Sequence, residues 1–278
     1  HLWHVIEITG DPADPNRCTR VSLKWAQEQI DRYGADNPWV LVNVFGKFPP
    51  ASLNVLLGPD QVNEALGKHH SEDVYNKHAK ILGVDPGRFG GARSVIFPRQ
   101  GLASFMPVVM RPDRSKKDWT GTLAGRIAQG FDKWGADAII VDDTGGWGAG
   151  VIDALEVAGY PVIPVNFGAA AMDNRYKNRR AEMYFAAAEW VKAGGALPNV
   201  PEIVREATAS HYWFRNGQFS IEEKEQVSVA LNGESPDLWD ASCLTHAQPI
   251  APREHGSQRA HAKTHDEDEE AVGHAAVE

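Results

Sequence analysis

Residues 81–91 read ILGVDPGRFGG, and they give the first indication of the architecture. The apolar first half is typical of a buried β-strand that ends at a single carboxylate, Asp85, before a turn rich in glycine and proline. A strand of this kind carries an acidic side chain to the edge of a sheet. Asp85 also has a simpler interpretation as a turn former, because aspartate is favoured before Pro-Gly. Carboxylates at the ends of other strands would favour a functional site.

The segments that follow predict an α/β fold with a mixed sheet flanked by helices. Strand-like runs at 81–85, 92–97 and 102–110 have connections too short for a helix, so we expect an antiparallel three-strand meander. A helix and a βαβ unit come next, and such a unit requires parallel strands. The later segments are a helix at 120–134, the βαβ unit at 138–141, 149–158 and 161–165, helices at 178–193, 200–208 and 236–246, and a hairpin that turns at Asn216-Gly217.

The N-terminal part of the chain is predicted to end in a linker. Residues 67–80, GKHHSEDVYNKHAK, are polar and nearly lack large apolar side chains. We therefore expect a first region at 1–79, a compact domain at 80–248, and a polar, then acidic tail at 249–278 that is disordered. Within the first region the predictions are a strand at 3–8, a helix from a Ser22 cap to Tyr33, a strand at 40–44, and a small helix or turn at 56–66.

Composition fits an ordinary globular protein in a reducing compartment. Of the 278 residues, 42% are hydrophobic and 23% charged, which is enough to bury a core in one or two domains. No apolar run approaches the roughly 18 residues that span a bilayer, and no signal peptide opens the chain.

Cys18 and Cys243 lie far apart, without the spacing of zinc ligands. His69, His70 and His78 lie in the polar linker, where solvated histidines are expected rather than a metal site. The chain begins without a methionine, which indicates a fragment or a processed protein.

The net charge of −9 argues against a nucleic-acid partner, but the charge is unevenly distributed. Six acidic residues and no Lys or Arg follow His265, which leaves a net charge of −3 for the rest. Two basic clusters, RPDRSKK at 111–117 and RYKNRR at 175–180, are candidates for contact with a nucleic-acid backbone. For any single cluster a solvated charged face is the commoner explanation. The candidate side chains are Arg111, Arg114, Lys116, Lys117, Arg175, Lys177, Arg179 and Arg180.

Two further acidic segments repeat the pattern around Asp85. The run AIIVDDTGG at 138–146 ends a strand at Asp142, followed directly by Asp143. Sites in parallel sheets form beyond the carboxyl ends of the strands, so Asp85 and Asp142 face each other if their strands are neighbours. In SPDLWDA at 235–241, Asp237 and Asp240 share one face of a helix, although Ser235 or Asp237 could instead cap that helix. Three acidic groups of this kind suit a pair of Mg²⁺ or Mn²⁺ ions, which take oxygen ligands and can drive phosphodiester hydrolysis.

The glycines after Asp142 suggest a rival site for a phosphate group. Gly145, Gly146, Gly148 and Gly150 follow a strand and open a helix, as in phosphate-binding loops. The spacing does not give G-x-G-x-x-G, and the next strand ends at Asn166 rather than at an acidic residue. The chain also lacks G-x-x-x-x-G-K-[ST], which excludes an intact ATPase of that class within it. A dinucleotide site is therefore the weaker hypothesis.

The order of these motifs resembles the nuclease domain of tailed-bacteriophage terminase large subunits. The matching segments are VDPG at 84–87, VDDTG at 141–145 with GAGV at 148–151, IEEK at 221–224 and SPDLWDA at 235–241. Residues 30–49, IDRYGADNPWVLVNVFGKFP, resemble the stretch that joins the ATPase domain of these proteins to the nuclease. The resemblance implies a ribonuclease H-like fold that lacks the N-terminal ATPase domain.

The resemblance also implies a function and a set of site residues. The expected activity is a metal-dependent endonuclease that cuts concatemeric viral double-stranded DNA during genome packaging in the host cytoplasm. Asp85, Asp142 and Asp237 match the metal-binding triad, with Asp85 shared by two Mg²⁺ or Mn²⁺ ions, and Asp143 and Asp240 are adjacent alternatives. The expected partners are DNA, the portal protein, the terminase small subunit and the ATPase domain of the same full-length protein.

Lys224 lies in the predicted hairpin, after its Asn216-Gly217 turn, and matches a lysine near the family's site. It is expected either to contact the scissile phosphate or to be an exposed strand lysine. Two other functions stay open for the chain as a whole. One is a non-catalytic ribonuclease H-like scaffold that grips DNA or the portal, and the other is a related nuclease of the resolvase or transposase type.

Overall fold

The computed structural model describes residues 8–35, 38–47, 54–87, 93–111, 118–146 and 148–253. Its helices are α1 (Leu23–Tyr33), α2 (Pro38–Asn43), α3 (Pro59–Leu66), α4 (Glu72–Tyr75), α5 (Trp119–Trp134), α6 (Ala149–Val157), α7 (Arg179–Lys192), α8 (Glu202–Thr208), α9 (Lys224–Ala230) and α10 (Asp237–Leu244). Its strands are β1 (Lys80–Asp85), β2 (Ser94–Gln100), β3 (Ala103–Ser104), β4 (Val108–Met110), β5 (Ala138–Asp142), β6 (Val162–Val165), β7 (Tyr212–Arg215) and β8 (Gln218–Ile221). Across these ranges, no helix has both the length and the apolar character needed to cross a membrane.

A mixed sheet in the order β3-β2-β1-β5-β6 forms the centre of the molecule, and β4 pairs with β2 beside β3. β1 and β2 are antiparallel, whereas β1, β5 and β6 are parallel to one another. This confirms the predicted meander and βαβ unit, except that the third meander strand is divided into β3 and β4. Val84 lies opposite Val141 across β1 and β5. Asp85 and Asp142 therefore leave the sheet side by side at its carboxyl edge.

Helices cover both faces of this sheet, because side chains along β1 alternate between two cores. Leu82 and Val84 pack with α5 and α6 in one cluster. Ile81 points the other way, into a cluster formed with α3, α7, α8 and α10. Trp239 of α10 and Tyr184 of α7 are among the largest fully buried side chains of the second cluster. The two parallel-strand acids thus lie at the edge of a three-layer fold.

Gly83 allows α10 to cross β1 at very short range. A Cβ atom built on Gly83 would lie 2.1 Å from the carbonyl oxygen of Ala241. No side chain larger than hydrogen fits there while both backbones stay in place. The sequence prediction of a closing helix is confirmed, and this close approach brings its first turn to the strand edge that carries Asp85.

The hairpin β7–β8 forms with the predicted turn. Asn216 and Gly217 both have positive φ values, 53° and 78°. This is the backbone combination of a type I′ turn, which suits the twist of a two-residue hairpin. β8 ends at Ile221, and the next helix, α9, begins three residues later at Lys224.

The N-terminal region differs from the prediction at residues 40–44, because 40–43 belong to α2 and Val44 lies in the turn that follows it. Val40 and Val44 are buried while Val42 is 49% exposed, and the Val44 amide donates to the Val40 carbonyl at 2.8 Å. Burial at positions i and i+4 is typical of a helix. Because the residues between them are mostly apolar as well, this spacing could not be recognised in the sequence. Most of the strand predicted at 3–8 and the tail beyond 253 lie outside the described residues.

The helix or turn predicted at 56–66 is present as α3, and it packs on α7 and α8. Leu57, Val62 and Ala65 belong to the same core cluster as Ile81 of β1. Within the predicted linker the structure has α4 and then the first residue of β1, Lys80. The division of the chain at residue 80 stays a prediction.

Candidate active site

The strand-edge acids are held by the turns that follow them. Asp85 is 5% exposed, and the chain turns at once so that the Gly87 amide donates to Ser94 Oγ at 2.9 Å. Asp142 is fixed by Thr144, whose amide and hydroxyl donate to Asp142 Oδ1 at 2.8 and 2.5 Å. The Thr144 hydroxyl in turn accepts a hydrogen bond from the Phe167 amide after β6. Neighbouring strands therefore orient the Asp142 carboxylate as well as position it.

The first turn of α10 supplies Asp237 and Asp240, which the structure buries to 5% and 0% exposure. Asp240 Oδ1 accepts a hydrogen bond of 2.5 Å from the Tyr184 hydroxyl and lies 3.9 Å from Arg180 Nε. Asp240 Oδ2 lies 2.8 Å from Lys224 Nζ. Both oxygens of Asp240 are thus held by side chains that belong to α7 and α9.

Asp237 is held from a different direction. Its Oδ2 accepts from the Arg93 amide at 3.2 Å and from Arg93 Nε at 3.3 Å. Arg93 Nη2 donates to Glu206 Oε1 at 2.7 Å. Glu206 Oε2 accepts from the amides of Leu238 and Trp239 at 2.8 and 3.0 Å. The two acids of one helix turn are therefore served by separate networks.

Lys224 begins α9, so the expectation of an exposed strand lysine is wrong. β8 ends three residues earlier, and the chain enters a helix in which the side chain turns back toward the sheet edge. The side chain is 37% exposed, but its ammonium lies 2.8 Å from Asp240 Oδ2 and 3.5 Å from Asp85 Oδ2. Contact between Lys224 and a scissile phosphate stays a prediction.

The electrostatics of the strand edge and of α10 differ. Burial raises the pKa of Asp85 well above its usual value, and Lys224 offsets this only in part while the nearby carboxylates add to it. Burial also raises the pKa of Asp142, against the hydrogen bonds from Thr144. For Asp240 burial acts in the same direction, but Lys224 and Arg180 outweigh it, and the pKa is lowered. The positive charge near Asp85 and Asp142 is therefore too small to offset the effect of their burial.

A cleft of about 470 Å³ opens at this edge. Asp85, Asp142 and Asp237 all line it, and Lys224 and Thr144 lie beside them. Asp240 is behind Lys224, and neither Asp240 nor Asp143 is part of the lining. The structure therefore brings together the three acids that matched the triad and sets their two adjacent alternatives back from the cleft.

The chemistry of this donor set fits a divalent cation. Asp85 Oδ2 is buried and accepts no hydrogen bond within the described part of the chain, and carboxylate oxygens are the ligands that Mg²⁺ and Mn²⁺ prefer. As the side chains stand, no three acidic, histidine or cysteine groups among the described residues converge closely enough to hold a metal ion. The ammonium of Lys224 lies between Asp85 and Asp240 and supplies positive charge there.

The basic clusters have mixed positions. Of the first, Arg111 is exposed, and 112–117, with Arg114, Lys116 and Lys117, lie outside the described residues. In the second, Arg175 pairs with Asp173, and the exposed Lys177 lies 3.5 Å from Glu223. Arg179 and Arg180 are buried and are not part of an exposed basic surface, although Arg180 is one of the residues that line the cleft. Arg179 pairs with Glu182 and donates to the Ala247 carbonyl, and Arg180 donates to the Tyr184 hydroxyl and the Glu222 carbonyl.

Four residues that support the acids were not predicted from the sequence as site residues: Arg93, Glu206, Tyr184 and Thr144. For Glu206 a signal exists, because it shares the buried face of α8 with Ile203 and Ala207. A glutamate at a core-facing position of a helix needs a partner. Arg93 carries no such local pattern, since its partners lie far away in the sequence.

No family model matches the chain. The probable terminase large subunit of Enterobacteria phage P7 is 28% identical over 248 residues, which cover 84% of this chain and 50% of that protein. The chain thus spans about half the length of this curated relative.

Solved structures show the same fold. The nuclease domain of the large terminase subunit gp2 of bacterial virus Sf6 has a TM-score of 0.53 and 20% identity, covering 70% of this chain and 99% of that domain. A lysine-to-alanine variant of that domain with manganese and beta-thujaplicinol has a TM-score of 0.55 and 18% identity, with the same coverage. These findings confirm the resemblance to terminase large subunits and the ribonuclease H-like fold class.

Proposed function

We propose that this chain is the nuclease part of a terminase large subunit and that it hydrolyses phosphodiester bonds of concatemeric viral double-stranded DNA during genome packaging. One observation carries the proposal. Asp85, Asp142 and Asp237 come from three separate elements and line one cleft at the carboxyl edge of the sheet. The similarity to a terminase large subunit and to terminase nuclease domains supports the same role.

The acids that line the cleft would hold the metal ions. In this proposal Asp85 is shared between two Mg²⁺ or Mn²⁺ ions, and Asp142 and Asp237 each serve one. Two such ions would activate a water molecule and stabilise the leaving 3′ oxygen. The buried Oδ2 of Asp85 supports this, because it accepts no hydrogen bond from the described residues and has only the Lys224 ammonium nearby, at 3.5 Å, so an added cation would satisfy it.

The side chains around the acids prepare the site. Thr144 fixes the orientation of Asp142 through two hydrogen bonds to one oxygen, which leaves the other oxygen for the cleft. Lys224 balances the charge of Asp85 and Asp240 and competes with divalent cations for their oxygens. Once displaced from the acids, the Lys224 ammonium is within the cleft and can contact a phosphate.

The remaining parts of the proposal concern partners. Arg175 and Lys177 are the members of the second basic cluster with accessible surface, and they are the candidates for contact with the DNA backbone. The portal protein, the terminase small subunit and the ATPase domain of the full-length protein are the proposed packaging partners, with the host cytoplasm as the setting.

Nicking of supercoiled plasmid in Mn²⁺ tests the proposal. Asp142→Asn should abolish cleavage, whereas Asp143→Asn should retain most of it, because only Asp142 lines the cleft. Asp153→Asn, an exposed change on α6, is the control for handling and folding. Cleavage by a folded Asp142→Asn protein at the wild-type rate would refute the assignment.

The same assay distinguishes the alternatives. A scaffold that only grips DNA or the portal would show no Mn²⁺-dependent cleavage. A nuclease of the resolvase type would prefer branched DNA over linear DNA of the same sequence.

A further inference from the structure

We propose that Arg93 and Glu206 are positioning residues that hold Asp237 in the cleft with one oxygen free for a cation. This inference rests on the proposed metal-dependent function, and it assigns a role to two residues outside the acidic motifs. A closed hydrogen-bond network joins Arg93, the residue before β2, to α8 and to α10.

Glu206 anchors the beginning of α10 from another helix. Its side chain is 1% exposed, and Oε2 accepts from the amides of Leu238 and Trp239. The first amides of a helix have no partner within it, and Pro236 at the N-cap provides no side-chain hydrogen bond. Glu206 therefore fixes the turn from which Asp237 projects.

Arg93 links this anchor to the carboxylate itself. Nη2 lies 2.7 Å from Glu206 Oε1 and donates to the Ser235 carbonyl at 3.3 Å. The Arg93 amide and Nε both donate to Asp237 Oδ2. The side chain is only 14% exposed, so solvent does not compete strongly for these bonds. Because Arg93 directly precedes β2, Asp237 is tied to the same sheet as Asp85.

The two carboxylate oxygens of Asp237 have different surroundings. Oδ2 is taken by Arg93, while no described residue donates a hydrogen bond to Oδ1, and Asp237 lines the cleft. Glu206 binds one end of the guanidinium and so keeps it from pairing with both oxygens of Asp237. Without the Glu206 charge, Arg93 would be free to form a bidentate pair with Asp237 and to neutralise the oxygen that a cation needs.

Glu206→Gln provides the direct test, because glutamine keeps an oxygen for the α10 amides and loses the charge that holds Arg93. Mn²⁺ binding is measured at pH 8, where the Glu206 carboxyl is ionised, by the electron paramagnetic resonance signal of free Mn²⁺, alongside the thermal midpoint Tm without metal. Loss of a group that orients a metal ligand weakens binding by roughly 10–100-fold, and we expect a change of this size. Glu202→Gln, on the exposed face of the same helix, should bind Mn²⁺ as the wild type does.

Arg93→Lys is the second variant, and it covers the case in which Glu206→Gln does not fold. Lysine keeps the positive charge but cannot reach Glu206 and Asp237 together, so Mn²⁺ binding should weaken similarly. Arg205→Lys, in the exposed pair with Glu234, is its control. The double variant should bind Mn²⁺ no more weakly than the single variant that has the lower Mn²⁺ affinity, because the two residues act as one unit.

Wild-type Mn²⁺ affinity in whichever of these two variants folds, with a change in Tm alone, would show a merely structural role and overturn the proposal. Absence of Mn²⁺ binding by the wild-type protein would overturn it as well. If the wild type binds Mn²⁺ without cutting DNA, and the variants bind it more weakly, the proposed nuclease function fails while the positioning role stands.

Discussion

The strand edge and the first turn of α10 supply acids to the same cleft by different physical means. Asp85 and Asp142 arrive through the register of two parallel strands, each followed by its own turn. Asp237 at the cleft and Asp240 behind it are placed by helix packing that depends on Gly83, on Arg93 just before β2, and on partners from α7, α8 and α9. The first pair is placed by local sequence and the second by tertiary contacts.

The two regions also differ in how their charge is balanced. At the edge, burial and neighbouring carboxylates raise the pKa values of Asp85 and Asp142, so their ionised forms lack compensation. On α10, Lys224, Arg180 and Tyr184 surround Asp240, and its pKa is lowered in spite of burial. A carboxylate without compensation is available to a cation, whereas one fully engaged by the protein stabilises the fold. The comparison predicts that changes at the edge cost activity and changes at Asp240 cost stability.

The largest expected effect comes from Asp85→Asn. Cleavage of plasmid in Mn²⁺ should fall by ~1,000-fold or more, because the shared metal ligand is lost. The Tm should stay the same or rise, since the substitution removes a buried carboxylate whose ionised form is disfavoured. A large fall in Tm for this variant would erase the distinction between the two regions.

Asp240→Ala should have the opposite profile. It leaves Arg180 and Lys224 without their shared carboxylate, and breaking a buried pair in this way costs about 3 kcal/mol or more of unfolding free energy. Urea denaturation measures this loss, with Asp153→Ala on the surface of α6 as the matched control. Unchanged stability of the Asp240→Ala protein would mean that this acid belongs with the edge group.

The comparison also explains how much of the site could be predicted from the sequence. Asp85 and Asp142 were predictable because an apolar strand, an acid and a glycine turn are contiguous, and because parallel neighbours bring such ends together. Glu206 was marked only as a buried acid in need of a partner, and Arg93 was not predictable, since it is separated by 113 residues from Glu206 and by 144 from Asp237. No local pattern encodes a contact across that distance.

The type of each helix or strand was predictable for most of the fold. The prediction failed where the spacing of apolar residues fits both a helix and a strand. The run VLVNV at 40–44 suits either a strand or a buried helix segment, and only the burial of Val40 and Val44 with exposure of Val42 settles it. Lys224 was assigned to the hairpin because nothing in IEEK marks the end of β8 at Ile221. In both cases the missing information was the packing surface.

Glu206 allows the α10 network to be tested through pH. Burial raises the pKa of Glu206 to about 7 from its usual 4.5, and the bond from Arg93 offsets this only in part. Between these values the native state binds a proton that the unfolded chain has released, so the contribution of Glu206 to stability is full below pH 4.5 and is lost as pH rises toward 7. Between pH 5 and pH 8 the loss should be on the order of 2 kcal/mol relative to Glu206→Gln, measured by urea denaturation. A constant difference between the two proteins across this range would contradict the raised pKa, and Glu202→Gln should follow the wild type throughout.

Lys224→Ala has the smallest expected effect on binding, and it acts on both regions at once, because Lys224 contacts Asp85 of the edge and Asp240 of α10. Removing a competing cation should tighten Mn²⁺ binding by about tenfold, which corresponds to about 1.4 kcal/mol. Electron paramagnetic resonance titration measures the affinity for Mn²⁺. The cleavage rate at saturating Mn²⁺ tests whether Lys224 also contacts the scissile phosphate. If Lys224 only competes with the metal, the saturated rate should match the wild type, and if it also contacts the phosphate, that rate should fall while binding tightens. Weaker Mn²⁺ binding by this variant would show instead that Lys224 organises the acids, and the edge would then depend on the protein's own charges as much as α10 does.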